Sequence, residues 1–122
     1  MNKQLTKAEE QIMLVLWELE FGTVKDIRAK LPMPQPAYNT VSTIVRILEN
    51  KKFIKHKTFG KGYLYYPAVK KEVYSNERLS SFIDGYFSGS FQSMVSFFVK
   101  KNNISVDELD GILDELNKNS KT

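Results

Sequence analysis

Up to Lys51-Lys52 the apolar residues of this chain recur at helical spacing, and directly after them they recur at every second position. A fold of 122 residues that obeys both periods must pack helices first and then turn straight into a β-hairpin. Phe53, Lys55, Lys57 and Phe59 alternate with Ile54, His56 and Thr58. Gly60-Lys61-Gly62 supplies a turn, Tyr63-Leu64-Tyr65-Tyr66 returns as the second strand, and Pro67 stops it.

Three helices are expected upstream. The first starts at Thr6, where Thr6-Lys7-Ala8-Glu9 has the form of a capping box. Ala8, Ile12, Val15, Leu16 and Leu19 form its core face to about Glu20, and Trp17 is a packing residue on it. Phe21-Gly22 breaks it, with the glycine in the C-terminal cap region. Thr23-Val24-Lys25-Asp26 caps a short second helix to about Lys30 that buries Val24, Ile27 and Leu31. Pro32, Pro34 and Pro36 cannot sit in a helix interior, so this segment is a connection, and Pro36 starts a third helix that runs to about Asn50. Three helices followed by a hairpin make a winged helix-turn-helix domain, here residues 1–69.

From Lys70 the pattern is helical again. One segment runs from Glu72 to about Tyr86, a second follows the loosening at Gly85, Ser88, Gly89 and Ser90, and a third opens at the capping box Ser105-Val106-Asp107-Glu108. Three short helices in about fifty residues have little core of their own. Phe82, Tyr86, Phe87, Phe91, Met94, Phe98, Leu109, Leu113 and Leu116 are more apolar groups than they can bury alone. Residues 70–122 therefore read as a three-helix dimerisation domain, and the whole as a mainly α chain with one small hairpin. Packing back on the first domain is the alternative.

Charge is divided between these halves. Residues 1–69 carry eleven Lys and Arg against six Asp and Glu, while residues 70–122 carry seven against eight. A polyanionic partner should dock on the first half. There is no cysteine, hence no disulfide, thiolate metal site or cysteine nucleophile. With no signal peptide and no apolar span long enough for a membrane, the chain reads as cytoplasmic, without membrane insertion.

The chemistry concentrates on the third helix. Asn39, Ser42, Thr43 and Arg46 share a face at i, i+3, i+4 and i+7, opposite Val41, Ile44, Val45 and Leu48. Short hydrogen-bonding side chains with one guanidinium suit the major groove of double-stranded DNA: Asn39 for adenine, Ser42 and Thr43 for base edges or thymine methyls, Arg46 for guanine or a phosphate. Tyr38 and Thr40 flank this face and suit phosphate contacts. Solvated helix faces are usually rich in Glu and Lys, whereas Arg46 is the single charge in residues 37–48. Lys51, Lys52, Lys55, Lys57 and Lys61 follow with no acid between Glu49 and Glu72, and Lys61 at the wing tip suits the adjacent minor groove. Tyr63, Tyr65 and Tyr66 are expected to pack on the domain core. His56 is the sole histidine, so no metal site is expected, nor any cofactor, and no catalytic set can be assembled.

Residues 5–69 resemble the penicillinase-repressor (BlaI/MecI/CopY) family of bacterial transcriptional regulators. The likeness runs through Thr6–Glu18, Thr23–Ile27, Tyr38–Leu48, Lys51–Ile54 and the wing Gly60–Pro67; the C-terminal likeness is in helix pattern and length. It implies a homodimeric repressor on a palindromic operator, of β-lactam-resistance or related genes, with each winged helix reading one half-site. It further implies release through a membrane sensor-protease and cleavage at an Asn-Phe bond after the glycine-serine break. The matching bond is Ser96-Phe97, so the asparagine is absent. The copper-responsive branch carries C-terminal cysteines, which this chain lacks. The competing reading is a winged-helix adaptor that uses the same helix on a protein partner; a hydrolytic enzyme is a distant third.

Overall fold

The computed structural model describes residues 4–119, and the chain divides into two compact units, 1–77 and 78–122. The elements run α1 (Lys7–Leu19), α2 (Val24–Ala29), α3 (Tyr38–Asn50), β1 (Ile54–Phe59), β2 (Gly62–Pro67), α4 (Lys71–Phe87), α5 (Phe91–Lys101) and α6 (Val106–Asn119). The architecture is a winged helix followed by helices, as the two periods predict.

Local chemistry sets the helix starts. Thr6 and Thr23 each accept from the backbone N–H three residues on, and Glu9 and Asp26 return the bond to the cap residue's own N–H. Ser105 and Glu108 repeat the arrangement at α6. Helix α3 begins at Tyr38, two residues beyond Pro36, because Ala37 is still extended and serves as the N-cap.

Two stops differ from expectation. Helix α1 ends on Glu20 itself, at φ 72° and ψ −36°, rather than on a glycine. Gly22 is used otherwise: it exchanges backbone hydrogen bonds with Tyr65 at 2.9 and 2.8 Å, adding a bridge to the hairpin's inner edge. A Cβ on Gly22 would lie 3.3 Å from the Asp26 Cβ and 3.4 Å from Leu19 Cδ1, so the close approach favours glycine. Helix α3 ends with Lys52 at φ 72°, while the Phe53 N–H bonds to the Leu48 carbonyl and the Lys52 N–H to that of Glu49. This doubled closure caps the helix and aims the chain into β1.

The hairpin is antiparallel, with Phe59 paired to Gly62 and His56 to Tyr65. The loop is therefore only Gly60-Lys61, with Gly60 at φ 59°, and Gly62 belongs to β2. The first unit closes one core from Ile12, Met13 and Leu16 of α1, Val24 and Ile27 of α2, Val41, Val45 and Leu48 of α3, and Phe53, Ile54, Tyr65 and Tyr74. Leu31 joins it, Trp17 packs against it, and the indole N–H of Trp17 donates to the Val69 carbonyl at 2.8 Å. Ala8, expected in the core, is exposed, and Met13 takes up the buried position.

In the second unit α5 starts at Ser90, whose hydroxyl accepts from the Ser93 N–H. Rings of Phe82, Phe87 and Phe97 lie in series, 5.9 and 5.7 Å between centroids. Among the described residues of this unit only Ile83 is a buried hydrophobic.

Candidate nucleic-acid interface

Burial of Val41, Val45 and Leu48 fixes the rotation of α3, because only one face of a helix can be turned to the core at a time. The opposite side divides into two edges. On the outer edge Asn39 and Thr43 are exposed, with the Thr43 hydroxyl donating to the Asn39 carbonyl at 2.9 Å. That bond leaves the hydroxyl's acceptor side, the threonine methyl and the whole Asn39 amide open to solvent. Thr40 is exposed beside them.

The second edge, Tyr38, Ser42 and Arg46, advances in steps of four along the flank nearer the wing. Arg46 Nη2 reaches the Ser42 hydroxyl at 3.5 Å, a weak contact that leaves the guanidinium available. Across from this edge stand Phe59, Gly62, Tyr63 and Tyr65 of the hairpin, and Thr23 and Val24 of α2 close one end. The concavity between them measures about 420 Å³.

Register sets the wing face that His56 and Tyr63 share, while Phe59 and Gly62 line the concavity from the loop end of the hairpin. Pairing of His56 with Tyr65 and Thr58 with Tyr63 puts these four on one face of the hairpin, while Lys55 and Lys57, opposite Tyr66 and Leu64, lie on the other. His56 binds through Nδ1 to the Glu49 carboxylate near the end of α3, and its ring rests 4.4 Å from that of Tyr63. Helix α3 and the wing are thus joined by a polar contact backed by a ring contact. Burial and the Glu49 carboxylate raise the Tyr65 hydroxyl above its ordinary value, with Arg46 opposing, so it stays protonated and neutral at physiological pH.

Lys51 has a different position from the other lysines. Its ammonium lies 2.8 Å from Oε1 of Glu9, whose carboxylate also accepts from the Thr6 N–H. Glu9 is buried, so this pair ties the start of α1 to the end of α3. Lys52, Lys55, Lys57 and Lys61 are exposed, Lys61 at the hairpin loop. The α2–α3 connection is pinned as well: Arg28 Nε donates to the Pro36 carbonyl at 2.7 Å, and the Gln35 amide reaches the carbonyls of Ala29 and Leu31. This fixes where α3 begins.

Of Tyr63, Tyr65 and Tyr66, all expected on the core, Tyr65 is buried and Tyr66 half-buried, while Tyr63 is 51% exposed at the concavity. Phe59, Tyr63 and His56 were not anticipated at the site. Strand alternation carries the signal for Tyr63, two residues from Tyr65, and hairpin pairing sets His56 opposite Tyr65 on the same face, but their approach to Glu49 and Arg46 depends on the fold.

In the second unit the residues expected at a dimer interface are largely uncovered. Phe82, Tyr86, Phe91, Phe98, Leu113 and Leu116 are exposed, and Phe87, Met94 and Leu109 are half-buried. Ser96 and Phe97 lie within α5, both exposed. Among the described residues no cluster of His, Asp and Glu could hold a metal, and no helix is long and apolar enough to cross a membrane.

Comparison with known proteins shows the family of the chain. The chain is 28% identical over 116 residues to the methicillin resistance regulatory protein MecI of Staphylococcus aureus, covering 94% of each chain. It is 26% identical over 122 residues to the penicillinase repressor of Bacillus licheniformis, covering 97% of this chain and 94% of that one. A penicillinase repressor of Staphylococcus aureus is 24% identical over 123 residues. The family model described as penicillinase repressor matches residues 5–118, and the chain belongs to this family of transcriptional repressors.

Proposed function

We propose that the protein is a DNA-binding repressor that acts in the cytoplasm as a homodimer on a palindromic operator, one winged helix per half-site. The observation that carries this reading is α3: its apolar side is locked in the core, and its outward side presents Asn39, Thr40 and Thr43 beside Arg46, with no acid until Glu49. Tyr38, Ser42 and Lys61 flank them as backbone contacts, and Lys51 holds the helix end through Glu9. The 1–69 segment is the DNA-binding domain and 70–122 the dimer clamp. Two tethered heads raise the effective concentration of the second half-site and multiply affinity by roughly 10²–10⁴. The names of the relatives, a methicillin resistance regulator and a penicillinase repressor, support β-lactam-resistance or related genes as the regulated class.

On this reading the off-switch acts on the clamp. A membrane sensor-protease would cut Ser96-Phe97, where serine stands for the family's asparagine; the bond is inside α5, so the helix must open locally before cleavage. Mass analysis of fragments after co-expression with the sensor of a related system checks that bond.

The test of the main reading is selection of duplexes from random DNA by the full chain, followed by anisotropy titration over a salt series. A recovered palindrome, with affinity falling steeply as salt rises, supports it. Absence of any preferred duplex and a flat salt response would favour the protein-interaction adaptor.

A further inference from the structure

Resting on the repressor reading, we infer that the concavity between α3 and the wing seats the sugar-phosphate backbone of one DNA strand, with Phe59 and Tyr63 as further DNA contacts and Arg46 as a phosphate ligand rather than a base reader. Three observations lead there. First, Arg46 lines the concavity with Tyr38 and Ser42, and Asn39 and Thr43 are not among its lining residues. From Tyr38 to Arg46 is eight residues, roughly 12 Å along the helix axis.

Second, the opposite wall is aromatic and uncovered: Phe59 is 60% exposed and Tyr63 is 51% exposed. Rings left in water on a small domain are suited to cover by the apolar faces of deoxyribose. The hydroxyls of Tyr38, Ser42 and Tyr63, with the Arg46 guanidinium, supply donors for phosphate oxygens. Third, the charge is right for a polyanion. Glu49, the last acid before Glu72, is engaged by His56, and Lys61 stands in the loop next to Gly62 at the wing end of the concavity. The Glu49–His56 contact, with His56 against Tyr63, holds the two walls at a fixed separation.

This divides labour on one helix. The Asn39–Thr43 edge reads bases, and the Tyr38–Ser42–Arg46 edge with the wing sets the register of the strand. The two classes of contact leave different signatures: loss of a phosphate ligand weakens binding to all sequences alike and lowers the salt slope, whereas loss of a base contact relaxes preference at one position.

The experiment measures full-length Arg46→Ala, Asn39→Ala, Phe59→Ala, Tyr63→Ala and Tyr63→Phe against the selected operator and all its single-base variants over a salt series. Thermal melts confirm that each variant folds. Arg46→Ala should lose about tenfold per half-site, equally across the variants, and lower the salt slope by about one per half-site. Phe59→Ala should lose roughly three- to tenfold per half-site with the slope unchanged, and Tyr63→Ala should do the same while Tyr63→Phe loses less. Asn39→Ala should flatten preference at one base pair. Arg46→Ala that flattens preference at one base pair with an unchanged slope overturns the inference, as does unchanged affinity in both Phe59→Ala and Tyr63→Ala. Failure of the unmodified protein to prefer any duplex overturns the repressor reading itself, and the inference with it.

Discussion

The two units of this chain start from similar material and reach different ends. Both are mostly short helices with one apolar stripe each, capped by Ser or Thr at most of their starts. In the winged-helix unit α1, α2, α3 and the hairpin approach a common centre from different directions, so each stripe finds three or more partners. Thirteen side chains, from Ile12 to Tyr74, form one buried cluster. In the unit from Arg78 onward Ile83 is the one buried hydrophobic among the described residues, while Phe82, Phe91, Phe98, Leu113 and Leu116 remain uncovered. An apolar stripe without a facing stripe gains little from folding, since burial is the main favourable contribution. The contrast teaches that the first unit closes a core within one chain, whereas the second leaves its apolar stripes uncovered, which is what the proposed homodimer would bury.

Four changes would break or sharpen this contrast. The largest effect is expected from Leu48→Ala, a fully buried truncation that should cost the first unit about 2–5 kcal/mol in chemical denaturation, whatever the protein concentration. Leu113→Ala in α6 should behave differently, raising the dimer dissociation constant by roughly 10–100-fold in sedimentation equilibrium while leaving the first unit's transition in place. If Leu113→Ala instead lowers stability with no change in association, the two units do not differ as described.

Glu9→Gln is expected to cost about 1–2 kcal/mol by weakening the tie from α1 to α3. Burial pushes the Glu9 carboxyl up, but the Lys51 ammonium and the Thr6 donors outweigh it, and the net value lies below the ordinary carboxylate range. A depressed carboxylate contributes fully above its unfolded value, about 4.3, and the contribution disappears as pH falls through the lower folded value. The acid limb of a stability-versus-pH curve should therefore be shallower in Glu9→Gln than in the unmodified chain. The smallest change is Glu20→Gly, which should raise the thermal midpoint through a gain of about 0.5–1 kcal/mol, because glycine adopts φ 72° without the Cβ clash.

Much of the fold could be read from local chemistry. The capping boxes at Thr6, Thr23 and Ser105 depend on residues three apart, and the hairpin depends on a two-residue loop with Gly60 at positive φ. The polar face of α3 was likewise legible, since helical spacing alone puts Asn39, Thr43 and Arg46 opposite Val41, Val45 and Leu48. What failed was local reasoning carried past its range. Ala8 fits the periodic face of α1, yet the buried face runs through Glu9, Ile12, Met13 and Leu16 and leaves Ala8 exposed. Gly22 looks like a helix cap, yet a strand edge needs its close approach. Tyr63 looks like its neighbour Tyr65, yet it lies two residues nearer the loop, where the hairpin has run past the core.

The order of elements, their caps, the basic first half and the residue types on α3 were determined by the sequence alone, because each follows from interactions within a few residues or from composition. Tertiary structure decided which of those residues meet. It placed Glu9 on Lys51 across forty-two positions, Glu49 on His56, and Arg46 across the concavity from Tyr63. Those meetings depend on the direction in which whole elements leave their turns and on which stripe the core consumes, and neither is encoded at any single position. In the second unit the stripes are written in the sequence, and within the unit they find no facing stripe, so the homodimer we propose is what would cover them.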